Sequence, residues 1–255
     1  MIKAVFFDFD DTLYSHKTLQ IPDSAIKAVD ELNRKGIKTF LATGRTSKEL
    51  TWFDLSMIHF FGKIINNGQL VYGENDEEIY RQPVEGKLKE DILQMFNEKK
   101  IPCTINTIDD IYINFVTDDV IRVYGDISSR IPEVKDYNGE DFYMSSAFYT
   151  NQEELDFLNT MPGYIFTWHN GAVDIISFES SKATGIERAL KYYGISKDEA
   201  MAFGDANNDV DMLECVGIGV AMGNGTDEVK AAADYITDDI DEDGVYNALK
   251  HYKIL

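Results

Sequence analysis

The chain has 255 residues, 44% of them hydrophobic, enough for one large domain or two modest ones with real cores. Its 45 acidic against 24 basic side chains give a net charge of −21, which disfavours nucleic-acid backbones and anionic membrane surfaces as partners. No apolar run approaches the ~20 residues of a membrane span, and acid arrives too early, at Asp8, for a signal peptide.

Ala4–Phe7 is an apolar run that stops abruptly at Asp8-Phe9-Asp10-Asp11, the pattern of a strand buried on both faces. Pro22 and Asp23-Ser24 start a helix with Ile26, Val29 and Leu32 on one face, and Gly36 ends it. Ile37–Ala42 reads as the next strand, broken at Thr43-Gly44-Arg45, with a helix following from Ser47. Ile64-Ile65 is a short strand before the turn signal Asn66-Asn67-Gly68. Alternating strands and helices imply right-handed crossovers and a parallel sheet.

The rhythm changes near Pro83. A helix is expected over Lys87–Lys99, paired short strands over 102–107 and 111–115, and a strand over Tyr143–Tyr149. A helix at Asn151–Leu158 precedes a hairpin within Gly163–Phe178 that turns at His169-Asn170-Gly171. Residues 83–180 carry 18 acidic and 7 basic side chains, a compositional block of their own. Strand–helix alternation returns with a helix at Thr184–Tyr193, strands at Ala200–Phe203 and Val216–Ala221, and helices at Val229–Ala233 and Glu242–Tyr252. The expectation is an α/β protein: a Rossmann-like parallel-sheet core of residues 1–82 and 181–255, with an inserted α+β domain at 83–180. Cys103 and Cys215 form no CxxC and no disulfide framework, so a reducing cytoplasm is the expected location.

Three presumed parallel strands stop at Asp8-Phe9-Asp10, Thr43-Gly44-Arg45 and Gly204-Asp205. Open α/β sheets bind ligands beyond the carboxyl ends of their strands, so these residues converge. Asp8 and Asp10 lie two apart, and close carboxylates repel unless a cation sits between them. Asp205 and Asp209 add hard oxygen ligands suited to Mg²⁺. Lys182 and Arg45 could neutralise a transferring phosphoryl group, and Thr43 offers a hydroxyl. Singly, each motif is weak: DxD, Thr-Gly-Arg and a lysine before a helix all occur as ordinary turns and caps. Gly217-x-Gly219 and Gly223-Asn224-Gly225 lack the setting of a nucleotide loop and read as turns.

In order, Asp8-Phe9-Asp10-Asp11-Thr12-Leu13, Thr43-Gly44-Arg45, Lys182 and Gly204-Asp205-Ala206-Asn207-Asn208-Asp209 resemble the four motifs of the haloacid dehalogenase superfamily of phosphohydrolases. The insertion between the second and third motifs, with Val220-Ala221-Met222-Gly223-Asn224 and Asp243-Gly244-Val245, resembles the Cof-like branch, whose α+β cap sits there. Many relatives carry Gly where this chain has Asp11 and Leu where it has Tyr14.

The resemblance implies that Asp8 is the nucleophile and Asp10 the general acid and base. It implies Mg²⁺ held by Asp8, the Asp10 carbonyl and Asp205, with Asp209 orienting waters or ligating. Thr43, Gly44, Lys182 and Asn208 would bind phosphate. Substrate choice is expected from Arg45 and Asn67 in the core and from Asn114, His169 and Asp174 in the cap. Plain turn chemistry for His169 and a solvated strand position for Asp174 are the competing readings. The cap aromatics Tyr112, Phe115, Tyr143, Phe148 and Tyr149 read as core. The implied partner is a small phosphorylated metabolite, a sugar phosphate first, with oligomeric state left open. A phosphomutase or phosphotransferase on the same fold, and a non-catalytic binder of phosphometabolites, are the alternatives.

Overall fold

The computed structural model describes residues 1–127 and 129–255. The chain opens with β1 (Ala4–Phe7), α1 (Asp23–Arg34), β2 (Lys38–Ala42), α2 (Ser47–Leu50), β3 (Gly62–Ile65), β4 (Leu70–Tyr72) and β5 (Glu78–Arg81). Next come α3 (Gly86–Asn97), β6 (Thr104–Asn106), β7 (Ile111–Ile113), α4 (Asp118–Asp126), β8 (Glu133–Val134), β9 (Ser145–Phe148), α5 (Gln152–Leu158), β10 (Tyr164–His169) and β11 (Ala172–Ile176). The last part holds α6 (Lys182–Tyr193), β12 (Ala200–Gly204), α7 (Val210–Glu214), β13 (Ile218–Ala221), α8 (Asp227–Ala232), β14 (Tyr235–Ile236) and α9 (Gly244–His251).

Two compact units emerge. The first is Met1–Gly44, Asp54–Arg81 and Ser181–Leu255; the second is Arg45–Phe53 with Gln82–Ser180. The expected break at residue 83 lies next to Gln82, but the sequence reading put Arg45–Phe53 in the core. That segment groups instead with the second unit. Arg45 stacks its guanidinium 4.5 Å from the Phe53 ring, and Arg45 and Glu49 both act on the buried Tyr124 hydroxyl of the second unit.

The first unit is built on an eight-stranded sheet in the order β14-β13-β12-β1-β2-β3-β4-β5. From β14 to β3 all neighbours are parallel, whereas β3, β4 and β5 run antiparallel. The parallel-sheet core is as expected; the antiparallel edge is not foreseen in the sequence. The chain turns back because Asn66 and Asn67 both sit in the left-handed region and Gly68 follows at φ +90°, too tight a reversal for a crossover helix. β1 is central and fully buried, with Phe6 stacked on Phe40 and Phe7 on Phe203. α1 presents Ala25, Ala28, Val29 and Leu32 inward; Ile26 is half-buried.

The second unit has two three-stranded sheets, β10-β11-β9 and β6-β7-β8, linked by bridges Cys103↔Ala147 and Asn106↔Met144. One face packs on α3 through Leu88, Ile92, Met95 and Phe96 against Ile105, Val173 and Ile175. On the other, α4, not expected from the sequence, sets Val120, Val123 and Tyr124 on Ile113, Phe148 and Ala172. Tyr112, Tyr143 and Phe148 are core, as expected, while Phe115 and Tyr149 are half-buried. Among the described residues, no helix is long and apolar enough to cross a membrane.

Candidate active site

The site lies in the first unit, at the carboxyl ends of β1 and β12. These strands are paired neighbours in register, and the Asp8 N–H donates to the Phe203 carbonyl at 2.9 Å. Asp8 therefore stands beside Gly204, and Asp205 follows directly. On the other side β2 is followed directly by Thr43, whose N–H donates to the Ile64 carbonyl.

Lys182 is the first residue of α6, whose start is fixed by a capping box between Ser181 and Thr184. A cation at a helix N-terminus opposes the helix dipole. Here two carboxylates compensate: Lys182 Nζ donates to Asp8 Oδ1 and, at 2.6 Å, to Asp209 Oδ1. The ammonium is buried, with a side chain 1% exposed. Burial works against its charge, but Asp209 and Asp8 outweigh that and hold it protonated.

Asp8, Asp205 and Asp209 each offer a carboxylate oxygen within 4.8 Å of the others. Three carboxylates against one ammonium leave an excess of negative charge in a buried space. Burial first, then Asp209, push Asp8 up to about 8 despite Lys182. Burial, Asp8 and Asp209 likewise raise Asp205. Such a cluster suits a small divalent cation, which would replace the held proton.

Asp209 is heavily committed. Its Oδ2 accepts the N–H groups of Asp205 and Ala206, both at 3.0 Å, while Oδ1 accepts Lys182. It thus shapes the turn that presents Asp205. Gly204 allows this: a Cβ there would fall 2.4 Å from the Asp209 Cβ. Two residues that the sequence reading did not single out complete the site. Thr12 donates its hydroxyl to Asp205 Oδ1 at 2.8 Å, and His16 Nε2 lies 2.8 Å from Asp10 Oδ1. Asp11 has φ +52°, a conformation Asp tolerates. Its Oδ1 accepts the His16 N–H. Asn224, read as part of a plain turn, donates to the Asp11 carbonyl at 2.7 Å and accepts from Ile240 N–H.

The remaining candidates divide. Gly44 faces the Asn67 side chain, which a Cβ would approach to 3.1 Å, and the Asn67 N–H donates to the Thr43 carbonyl. Asn208 is half-buried in the turn after β12. Arg45 lies in the second unit, with the stacking already described. Asn114 is buried and structural: it accepts from the N–H groups of Cys103 and Phe115 and donates to the carbonyls of Phe96 and Ile101. Those four bonds use its amide. His169 sits at the hairpin turn, bonded to the Asn170 carbonyl and 3.3 Å from Asp126. Asp174 is not a solvated strand position: it is buried and accepts the Ser146 hydroxyl at 2.7 Å.

A family model for haloacid dehalogenase-like hydrolases matches residues 5–249. The chain belongs to this family. It is 33% identical to YkrA of Bacillus subtilis, a candidate phosphatase by name, over 99% of this chain and 98% of that one. It is 27% identical to the 5-amino-6-(5-phospho-D-ribitylamino)uracil phosphatase YitU of the same organism, over 97% and 96% of the two chains. The structure of the subclass IIB sugar phosphatase BT4131 superposes with a TM-score of 0.88 at 32% identity, covering 99% of this chain and 100% of that one. That of the phosphatase BT1666 from Bacteroides thetaiotaomicron gives 0.90 at 28% identity, covering 100% and 96%. The likeness extends to the Cof-like branch, and the chain is an enzyme of the phosphatase type.

Proposed function

We propose that this haloacid dehalogenase-family phosphatase is Mg²⁺-dependent and hydrolyses a small phosphorylated metabolite, a sugar phosphate first among them. The observation that carries the reading is the acidic trio Asp8, Asp205 and Asp209, the first and last buried, with Lys182 bonded to those two. Three hard oxygen donors fit Mg²⁺, and the retained lysine fits a phosphoryl group. The name of BT4131 supports a sugar phosphate, and that of YitU supports a phosphorylated ribityl compound as a neighbouring choice.

In this reading Mg²⁺ is held by the Asp8 and Asp205 carboxylates and the Asp10 carbonyl, and supplies charge neutralisation for the phosphate. Asp8 attacks phosphorus and forms an aspartyl-phosphate, and Asp10 protonates the leaving oxygen, then deprotonates water. Lys182, Thr43, the Gly44 backbone and Asn208 bind the phosphoryl oxygens. Asp209 holds Lys182 and the turn at Asp205. Substrate choice is assigned to Arg45, His169 and Asp174 of the second unit and to Asn67 of the first. Two unpaired cysteines support a reducing compartment such as the cytoplasm.

The test is a hydrolysis screen over phosphorylated sugars, nucleotides and cofactors, with and without Mg²⁺. Metal-dependent release of inorganic phosphate, best from sugar phosphates, is expected. Turnover unchanged by chelation, or none across the panel, overturns the reading.

A further inference from the structure

The loop after β1 returns on itself. Leu13 and Tyr14 donate their N–H groups to the Phe9 carbonyl, and the Asp11 N–H donates to the Tyr14 carbonyl. Asp10 bridges Tyr14, and Ser15 bridges Gln20. This closes a small cycle in which residue 16 faces residue 10.

His16 is held in that place from three sides. Its N–H donates to Asp11 Oδ1 at 3.0 Å. Its ring meets Tyr14 edge-on, with centroids 5.4 Å apart at 80°. Tyr14 in turn stacks on the fully buried Phe9 at 5.5 Å and 17°. The ladder Phe9, Tyr14, His16 fixes the imidazole plane, and Nε2 then lies 2.8 Å from Asp10 Oδ1. The His16 side chain is 19% exposed against 35% for Asp10. The more exposed carboxylate thus meets the more buried ring.

We propose that His16 is a positioning residue that orients the Asp10 carboxyl for proton transfer to the leaving group. The proposal rests on the reading of Asp10 as general acid and base. With the proton on Nε2, His16 donates to Asp10 Oδ1 whether Asp10 is charged or neutral, so the transferring proton is confined to Oδ2. When Asp8 attacks, its bond to phosphorus forms and the phosphorus–oxygen bond to the leaving group breaks. The Asp10 Oδ2 proton passes to that oxygen. Asp10 then takes a proton from the water that releases inorganic phosphate and restores Asp8. His16 neither gains nor loses a proton in the cycle.

The consequence is dependence on the leaving group. An alkoxide such as the 6-oxygen of glucose needs the proton; p-nitrophenolate leaves without it. The kcat/KM ratio reports steps up to the first irreversible one, so it isolates leaving-group departure. For His16→Ala we expect a loss of about 10- to 100-fold in kcat/KM on glucose 6-phosphate. The loss on p-nitrophenyl phosphate should be under about threefold. His16→Gln, whose amide N–H reaches like Nε2–H, should restore glucose 6-phosphate turnover to within about threefold, and His16→Asn, too short, should not. Thermal melts confirm folding, and if the alanine variant does not fold, the Gln and Asn pair decides. Equal losses on both substrates, no loss on either, or Gln no better than Asn overturns the proposal. Asp10→Asn separates it from the reading beneath: if that variant keeps glucose 6-phosphate turnover, the acid role of Asp10 fails whatever His16 does.

Discussion

Lys182 Nζ lies 2.6 Å from Asp209 Oδ1, joining residues on different elements across 27 positions of chain. Because the same ammonium also reaches Asp8, one lysine serves two buried carboxyl groups at once. Removing it should be costly twice over. Lys182→Met should lower kcat/KM at least about 100-fold by taking away charge stabilisation. It should also destabilise the fold by about 3–5 kcal/mol, since the partners are left buried and unpaired. Chemical denaturation with and without Mg²⁺ checks this, and partial rescue of stability by Mg²⁺ is expected.

The Asp8 proton gives a pH prediction. The folded group titrates at about 8 against an ordinary 3.8. Between those values the folded state binds more protons than the unfolded one, so the metal-free protein loses stability as pH rises from about 4 to 8. Mg²⁺ competes with that proton. Its apparent affinity should rise with pH up to about 8, and binding below that pH should release protons. Calorimetric titration in buffers of different ionisation enthalpy measures the release, and none would sink the idea.

Thr12 tests how Asp205 is aimed. Thr12→Val keeps the volume and loses the 2.8 Å hydrogen bond to Asp205. Mg²⁺ affinity should weaken about 10-fold or more, as losses of supporting partners do. Thr12→Ser should stay near the parent. Metal titration followed by activity separates the two.

Asn114 should matter to the fold and not to turnover. Asn114→Ala strands the buried backbone groups it now satisfies, costing at least about 2 kcal/mol. A lowered melting temperature with kcat/KM within about twofold at 25 °C is expected. A selective rise in KM would return Asn114 to the substrate.

Asp8→Asn should abolish phosphate release while the melting temperature rises or holds, because a neutral amide relieves the crowded carboxylates. Retained Mg²⁺-dependent turnover removes Asp8 as nucleophile.

Much of the first unit was legible because buried parallel strands write themselves as apolar runs that stop at polar residues. Ala4–Phe7 before Asp8 and Ala200–Phe203 before Gly204-Asp205 are the clearest examples. β4 and β5 escaped because they are short and follow the left-handed Asn66 and Asn67, which signal a turn without saying what comes next. α4 escaped because its interior Val120, Ile121 and Val123 suit a strand as well as a helix, so tertiary packing decided. Thr12 stood inside a motif and could have been weighed as a carboxylate's partner. His16 could not: a lone histidine six residues from Asp10 meets it only because the loop closes. For Asn114, residue type suggested a ligand, whereas the backbone around it supplied all four partners.

The central strand has a further consequence, for biosynthesis. β1 pairs on one side with β2, a few dozen residues on, and on the other with β12, Ala4 opposite Ala200. A ribosome therefore completes the whole inserted unit before the second neighbour of β1 exists. Until Ala200–Gly204 emerges, a strand of four apolar residues waits with an open edge, a template for mispairing. The same delay withholds Lys182, Asp205 and Asp209 from Asp8. A nascent chain cut short after the insertion would carry its first motif intact and have no site around it. Prompt synthesis and folding of the inserted unit is what shortens that exposure.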